Sequence, residues 1–556
     1  MMRAKIISSL EKCFLDEKIF DKAEAKDFSM LKNERFSFQI CYDLEETVMN
    51  HKWVQMRIET PLKEHLKVYR VRHIPSALPV FRDKTDDYYL RTTSGLYPDL
   101  LEPYTEGERL TLDNNLNSVW FEIAPEGNAE AGIYPIHIIF YKNDTDEAEA
   151  ELTTEIEILD AELPKQELIY TQWFYPDCLM DYYRTDSFDE EHWRIIENFM
   201  INARTYGQNM ILTPLFTTVL NSAKGEVSRS KTQLVGVTKT NGRYIFDFSL
   251  LGRWVDLCDK VGFEYFEIGH LFSQGGAKFC PKIYATVDGE ETALFGWSTA
   301  SDDPEYFAFL AALIPAFLKY MREEKRGADK RCWFHISDEP KASDIERYCK
   351  LKNFVKPLIG DCTIFDALYD YAFYKAGIVE HPVPSTNHLE AFLTHNVPEL
   401  WTYNCGWQTK NHLTNRFFSM PSARNRVQGI QMYKFALQGF LHWGYNYYNS
   451  QGSYHHINPF LCSDGEGWVP SGDTYSVYPA PDGTPWPSLR QIVFNEGLQD
   501  LRALKLCESL YGKDRVMEEL EAGIDPITFE HYPTGSEWLL GMRKRINGLI
   551  RQKTKN

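Results

Sequence analysis

The feature that most constrains this chain is a change of grammar near residue 162. Before it, segments 35–42, 51–58, 66–74, 116–124, 133–141 and 151–159 are rich in β-branched and aromatic residues and often alternate, as Tyr134, Ile136, Ile138 and Phe140 do. A period of two puts one face of a strand in a core and the other in water. Turn-rich stretches such as 125–132 separate these segments, and only residues 5–14 carry a short helical pattern. A two-sheet β-sandwich over residues 1–162 is the economical solution, ending beyond the charged segment 143–152 at Leu163-Pro164-Lys165.

Beyond that point strands alternate with helices. Strands are expected at 167–174, 210–213, 263–270, 332–337, 362–367, 379–384, 398–404 and 439–446, the sixth weakened by Pro382 and Pro384. Ser187 with Glu190, and Ser343 with Glu346, are spaced as capping boxes. A helix over 247–261 stops at Gly262, and Asp303-Pro304 opens a long apolar one. Further helices are expected near 386–395, 421–437 and 488–510. Eight such units over 163–510 predict a (β/α)8 TIM-type barrel, with 511–556 as a charged helical tail packed on it. An open doubly wound sheet is the competing arrangement, but no glycine-rich phosphate loop supports it.

Charge narrows the function. Sixty basic against 79 acidic residues give a net charge of -19, which repels a phosphate backbone, so no nucleic-acid partner is expected. No run approaches about 18 uninterrupted apolar residues, so no membrane insertion is expected. The first twelve residues lack the apolar stretch of a secretory signal. The 11 cysteines are scattered without metal spacing, as reduced thiols would be. A cytoplasmic protein without metal or cofactor is therefore expected. Its 34 Phe, 32 Tyr and 13 Trp exceed what a core needs, and surplus rings suit a cleft for sugars, whose C–H faces pack on aromatic surfaces.

In a barrel of this type, side chains at the C-terminal strand ends face the active site. Asp338 and Glu339 stand where the fourth strand ends, and Pro340 stops the ladder. Such tripeptides also begin many solvated loops. Most glycosidases set two carboxylates across the scissile bond, which adjacent residues can hardly do. Adjacency suits a substrate-assisted reaction, in which the sugar's 2-acetamido oxygen attacks its own anomeric carbon. One carboxylate then steadies the acetamido nitrogen while the other protonates the leaving oxygen, and like-charge repulsion keeps a proton on the pair.

A series of stretches runs from the first domain to the last barrel helix: Gly95–Leu101, Thr171–Phe174, Phe266–Phe272, Phe295–Trp297, His335–Pro340, Asn415–Phe417, Gly439–Asn446, Ser471–Asp473 and Ser488–Arg490. In these the chain resembles glycoside hydrolase family 123, the exo-acting β-N-acetylgalactosaminidases. The resemblance implies an N-terminal β-sandwich, a catalytic barrel and a retaining, metal-free mechanism, with Asp338 stabilising the acetamido group and Glu339 as general acid/base. The substrate would be a terminal sugar on a small oligosaccharide or glycan. A hexosaminidase of different sugar preference and a catalytically silent carbohydrate-binding protein stay open, as does the oligomeric state.

Further residues are candidates for substrate contact. His270 and His442 fall at strand ends, where imidazoles can bond hydroxyls. Trp173, Trp297, Trp401 and Trp443 are candidates for the sugar platform, and Tyr369 and Tyr371 for the phenol that bonds the acetamido oxygen. Asn404, Asn446 and Arg490 are candidate hydroxyl ligands. The stretch 449–487 is too long for an ordinary connection and is placed to close the rim of the pocket.

Overall fold

The structure, a computed structural model, describes residues 1–45, 52–142, 145–218, 220 and 229–554. Two five-stranded sheets form the N-terminal half. One runs Met2–Ser8, Phe36–Leu44, Asn117–Ile123, Leu66–Ser76, Gly95–Pro103; the other runs Phe28–Leu31, Ala148–Leu159, Gly132–Lys142, Lys52–Glu59, Leu110–Leu112. Their inner faces close over Phe38, Phe121, Ile136, Ile138, Phe140 and Ile156, all fully buried. Residue 51 and residues 143–144, parts of the expected strand at 51–58 and of the charged segment, lie outside the described residues.

Two expectations are corrected here. Residues 5–14 are not helical: Met2–Ser8 is a strand laid antiparallel on Phe36–Leu44, with Met2 opposite Leu44 and Ser8 opposite Phe38. Ladder pairing across a buried face outweighs a weak local preference. Gly95–Pro103 is also a strand, disguised by Pro98 and Pro103. It lies at the edge of its sheet beside a bulge at Arg72–His73, where a missing donor is tolerated.

The second half is the barrel. Its eight parallel strands, in chain order around the axis, are Ile169–Gln172, Met210–Thr213, Tyr265–Ile268, Cys332–Phe334, Thr363–Leu368, His381–Pro384, Trp401–Asn404 and Gly439–His442. The eighth pairs with the first, Thr171 standing opposite Leu441. The thinnest seam lies between the sixth and seventh, where Pro382 and Pro384 lack N–H donors. It is closed by one bridge, Ser385 to Tyr403, and by the Thr402 hydroxyl donating to the Pro384 carbonyl at 2.8 Å. Two hairpins, Gly236–Asp247 and Ile283–Phe295, add a four-stranded sheet outside the barrel that the sequence reading missed.

Helix boundaries mostly follow the caps. Ser249–Val261 ends on Gly262 with φ of 97°, and Asp303 caps Pro304–Glu323 by accepting from the Glu305 N–H at 2.8 Å. Neither capping box forms. The helix Glu190–Thr205 is capped by Asp189, which accepts from the His192 N–H at 2.7 Å, while Ser187 bonds the Lys231 carbonyl instead. Ahead of Ile345–Ile359, Asp344 holds the N-cap position without a side-chain cap, its carboxylate accepting from the upstream Lys341 N–H instead. After the barrel come Lys513–Leu520 and Ser536–Thr554. The second is held by Arg543, which bridges Glu34 of the sandwich (2.7 Å) and Asp500 (2.9 Å).

Among the contacts that join the two halves is one beside the 449–487 stretch. Arg490 makes a two-pronged contact with Asp99 of the sandwich (2.7 and 3.0 Å) and also donates to the Gly472 and Tyr475 carbonyls. Asp99, Ser471–Asp473 and Arg490 thus meet in one buried cluster, Asp99 391 positions from Arg490. The sandwich loop 77–94 crosses onto the barrel beside it: Leu78 N–H donates to Asp464 (2.8 Å), Tyr89 to the Thr409 carbonyl (2.7 Å), and Asp86 pairs with Arg424 (2.8 Å).

Candidate active site

Asp338 and Glu339 lie just past the fourth strand at the floor of a cavity of ≈ 200 Å³. Its wall is built from C-terminal strand ends and the residues that follow them: Trp173 after the first, Gln274 after the third, Ala367 on the fifth, Tyr403 on the seventh with Cys405, Gly406 and Trp407 after it, and Leu441 and Trp443 at the eighth. Trp468, Val469 and Asp473 close it from the 449–487 stretch, which is folded over the mouth.

The backbone makes the two carboxylates unequal. Glu339 has a φ of 45°, in the left-handed region that a side chain seldom adopts and that costs on the order of 1–3 kcal/mol. Its N–H donates to the Ala367 carbonyl at 3.0 Å, whereas the Asp338 carbonyl accepts from Gly275 at 3.3 Å. The reversal turns Glu339 towards the seventh strand, where the Tyr403 phenol donates to its carboxylate. Burial, then the charge of Glu339, holds the Asp338 carboxyl well above the usual carboxylate range.

Below the pair the barrel interior holds a buried ionic chain. His335 meets Glu267 at 2.7 Å and Asp366 at 2.9 Å, one through each ring nitrogen. Burial opposes the imidazolium, but the hydrogen bonds to Asp366 and Glu267 and their charges outweigh it, and His335 is pushed up to about 9. Trp173 donates to Glu267 at 2.6 Å, Thr171 donates to its other oxygen, and Tyr348 donates to Asp366 at 2.5 Å. His270 lies flat on His335 with ring centroids 4.0 Å apart. Burial and the His335 charge hold it well below its ordinary value, so it is neutral. His270, His335 and Asp366 are near enough to suggest a metal site. Both ring nitrogens of His335 are already engaged by Glu267 and Asp366, and in this arrangement the cluster is a salt-bridged support.

Trp443 is the best oriented ring of the wall. Its indole N–H donates to Asp473 at 2.9 Å, and Trp468 and Tyr447 pack on it at 5.4 and 5.2 Å. Burial pushes Asp473 up to about 7 against the opposing effects of Trp443, Arg416, the Gly406 N–H and Arg490.

Of the candidates named from sequence, Asp338, Glu339, Trp173 and Trp443 are in the cavity wall; the others lie outside it. Trp401 is 1% exposed and packs on Trp333 and Phe365 in the barrel interior, two residues below Tyr403 on the same strand. Trp297 pairs with Phe279, outside the wall. Tyr371 stacks on His395, and Tyr369 lies beside His388, close enough to Glu339 for that charge, after burial, to raise its phenol. His270 is under the floor. His442 is buried, accepts from the Gly444 N–H at 3.1 Å and faces Asp473 at 3.5 Å. Asn404 donates to Thr414 and Gln428, Asn446 clamps both backbone groups of Tyr175, and Arg490 spends its donors on the domain junction. Tyr403, Trp407, Trp468 and Asp473 were missed. Tyr403 had a usable signal in the end of a predicted strand, and Trp468 and Asp473 had one in the 449–487 stretch expected to close the rim.

Over residues 173–507 the chain matches the family model described as glycoside hydrolase 123, catalytic domain. It is also similar to a family 123 glycoside hydrolase from Clostridium perfringens, studied for its hydrolysis of glycolipid glycans: 16% identity, TM-score 0.75, covering 100% of this chain and 99% of that one. Similarity is far lower to β-glucuronidase 2 of Bacteroides uniformis (11% identity, TM-score 0.30, 82% of this chain and 48% of that one). It is equally low to a family 5 mannosidase from Rhizomucor miehei (11%, 0.33, 61% and 98%). No curated protein sequence matches the chain.

Proposed function

Because this chain belongs to glycoside hydrolase family 123 and is a glycoside hydrolase, we propose that it is exo-acting and releases terminal β-linked N-acetylgalactosamine from oligosaccharides or glycoconjugates, with retention and with the substrate's own acetamido oxygen as nucleophile. The observation that carries this reading is the adjacent, diverging pair Asp338 and Glu339 at the floor of one cavity. Neighbours in sequence cannot flank a glycosidic bond, but they can divide the work at one anomeric centre.

The acetamido N–H donates to Asp338 as its oxygen attacks C1, and the carboxylate balances the positive charge that grows on the nitrogen. Glu339, held by Tyr403, gives its proton to the leaving oxygen. It then takes a proton from the water that opens the cyclised intermediate on the face the aglycone has left. Two inversions at C1 give net retention. Trp468, Val469 and Asp473 wall one side, which favours chain ends over internal sugars. The natural substrates on this reading are small oligosaccharides reaching the cytoplasm, or glycans like those of the glycolipids cleaved by the C. perfringens relative.

A substrate panel tests the reading. Aryl β-N-acetylgalactosaminide should be cleaved, the gluco epimer more slowly, and plain aryl β-galactoside not measurably. Faster turnover of the plain galactoside would end the substrate-assisted mechanism, since that sugar has no acetamido group. Tyr403→Phe should lower kcat about 10-fold, the worth of a hydrogen bond to a charged group, with KM and the melting temperature nearly unchanged. Unaltered kcat would remove Tyr403 from the positioning of Glu339.

A further inference from the structure

Trp407 is 57% exposed, whereas of the cavity's other indoles Trp173 and Trp443 are 3% and 9% exposed and Trp468 is half-buried. It nevertheless lines the same cavity as Asp338 and Glu339. A large apolar ring left in water at the mouth of a binding site marks a contact surface more often than a packing residue. Its orientation is set from the other half of the molecule. Phe81, in the sandwich loop 77–94, stacks on it with centroids 5.3 Å apart and planes 22° apart, and the Lys84 ammonium lies 4.4 Å from its centre. That loop is pinned to the barrel by the Leu78–Asp464, Asp86–Arg424 and Tyr89–Thr409 contacts.

Size says what the ring meets. The cavity of ≈ 200 Å³ falls below the roughly 300–1,000 Å³ of ordinary ligand sites. It has room for one terminal sugar, so the rest of a glycan must leave through the mouth. Resting on the glycosidase reading above, we propose that Trp407, backed by Phe81, is the aglycone-side subsite: the platform for the pyranose ring to which the terminal sugar is attached. The C–H face of that second ring packs on the indole while its hydroxyls stay in water, which discriminates a sugar aglycone from a small or flexible one. The N-terminal sandwich then takes part in substrate selection through Phe81.

Trp407→Ala, Trp407→Phe and Phe81→Ala test this against two probes: a β-N-acetylgalactosaminyl-terminated trisaccharide, and a galacto-configured thiazoline that fills only the terminal-sugar pocket. Trp407→Ala should lower kcat/KM on the trisaccharide about 10-fold, Phe81→Ala less, and Trp407→Phe should restore most of it. The thiazoline inhibition constant should stay within about two-fold, as expected for a ring that lines only the mouth of the cavity, and the exposed position of Trp407 should leave the melting temperature unmoved. Unchanged trisaccharide turnover, or equal losses on trisaccharide and thiazoline, would overturn the subsite. A wild-type enzyme that neither cleaves the trisaccharide nor binds the thiazoline would instead overturn the glycosidase reading beneath it, and the subsite with it.

Discussion

Glu339→Gln is expected to slow hydrolysis of oligosaccharides by about 10²–10⁴-fold, the usual span of general acid/base catalysis, while substrate still binds. The amide keeps the size of the side chain and its hydrogen bond to Tyr403 but has no proton to give. Its deficit should shrink on substrates whose leaving group departs without protonation, such as dinitrophenyl glycosides, because only the acid step has been removed. Asp338→Asn should lose a comparable factor whatever the leaving group, since its role lies in charge developing on the acetamido nitrogen. These two leaving-group profiles distinguish the roles. Parallel profiles for both variants would contradict the division of labour, and near-normal rates in either would remove that residue from the mechanism.

The second large effect is on stability. His335→Phe should destabilise the protein by about 3–5 kcal/mol, because it leaves Glu267 and Asp366 as carboxylates in the barrel interior without their cation. A pH series identifies the cause. An imidazole held at about 9 in the folded protein, against an ordinary 6.5, adds stability that is fully present below about 6.5 and is lost as pH rises towards 9. That contribution amounts to at most about 3 kcal/mol. The gap between wild type and His335→Phe, read from denaturant midpoints, should therefore narrow across that window. A gap independent of pH would mean that His335 is neutral and the chain of charges is not as described.

Much of the architecture was legible because periodicity survives folding. Eight alternations of strand and helix predicted the barrel, and all eight strands fall where apolar runs meet turn signals. Two of the sandwich strands that were missed share another property. Met2–Ser8 and Gly95–Pro103 take their stability from the neighbouring ladder, and an edge strand containing proline has little signature of its own.

The site divides in the same way. Asp338, Glu339 and the wall tryptophans Trp173 and Trp443 could be named because a barrel turns every C-terminal strand end towards one place, so position along a strand was enough. Trp401 and Tyr403 show the limit of that rule. Both belong to the seventh strand and are two residues apart, yet one is buried in the barrel interior and the other reaches Glu339, because height along the axis decides which inward side chain meets the cavity. Local sequence determined the order of elements, the adjacency of the two carboxylates and the strand end that carries them. Only the tertiary structure decided that Asp473 would return from a long loop to hold Trp443, that His335 would be clamped between Glu267 and Asp366, and that Phe81 of the sandwich would set the face of Trp407. Those contacts join residues tens to hundreds of positions apart, and nothing in the local pattern of either partner encodes the distance between them.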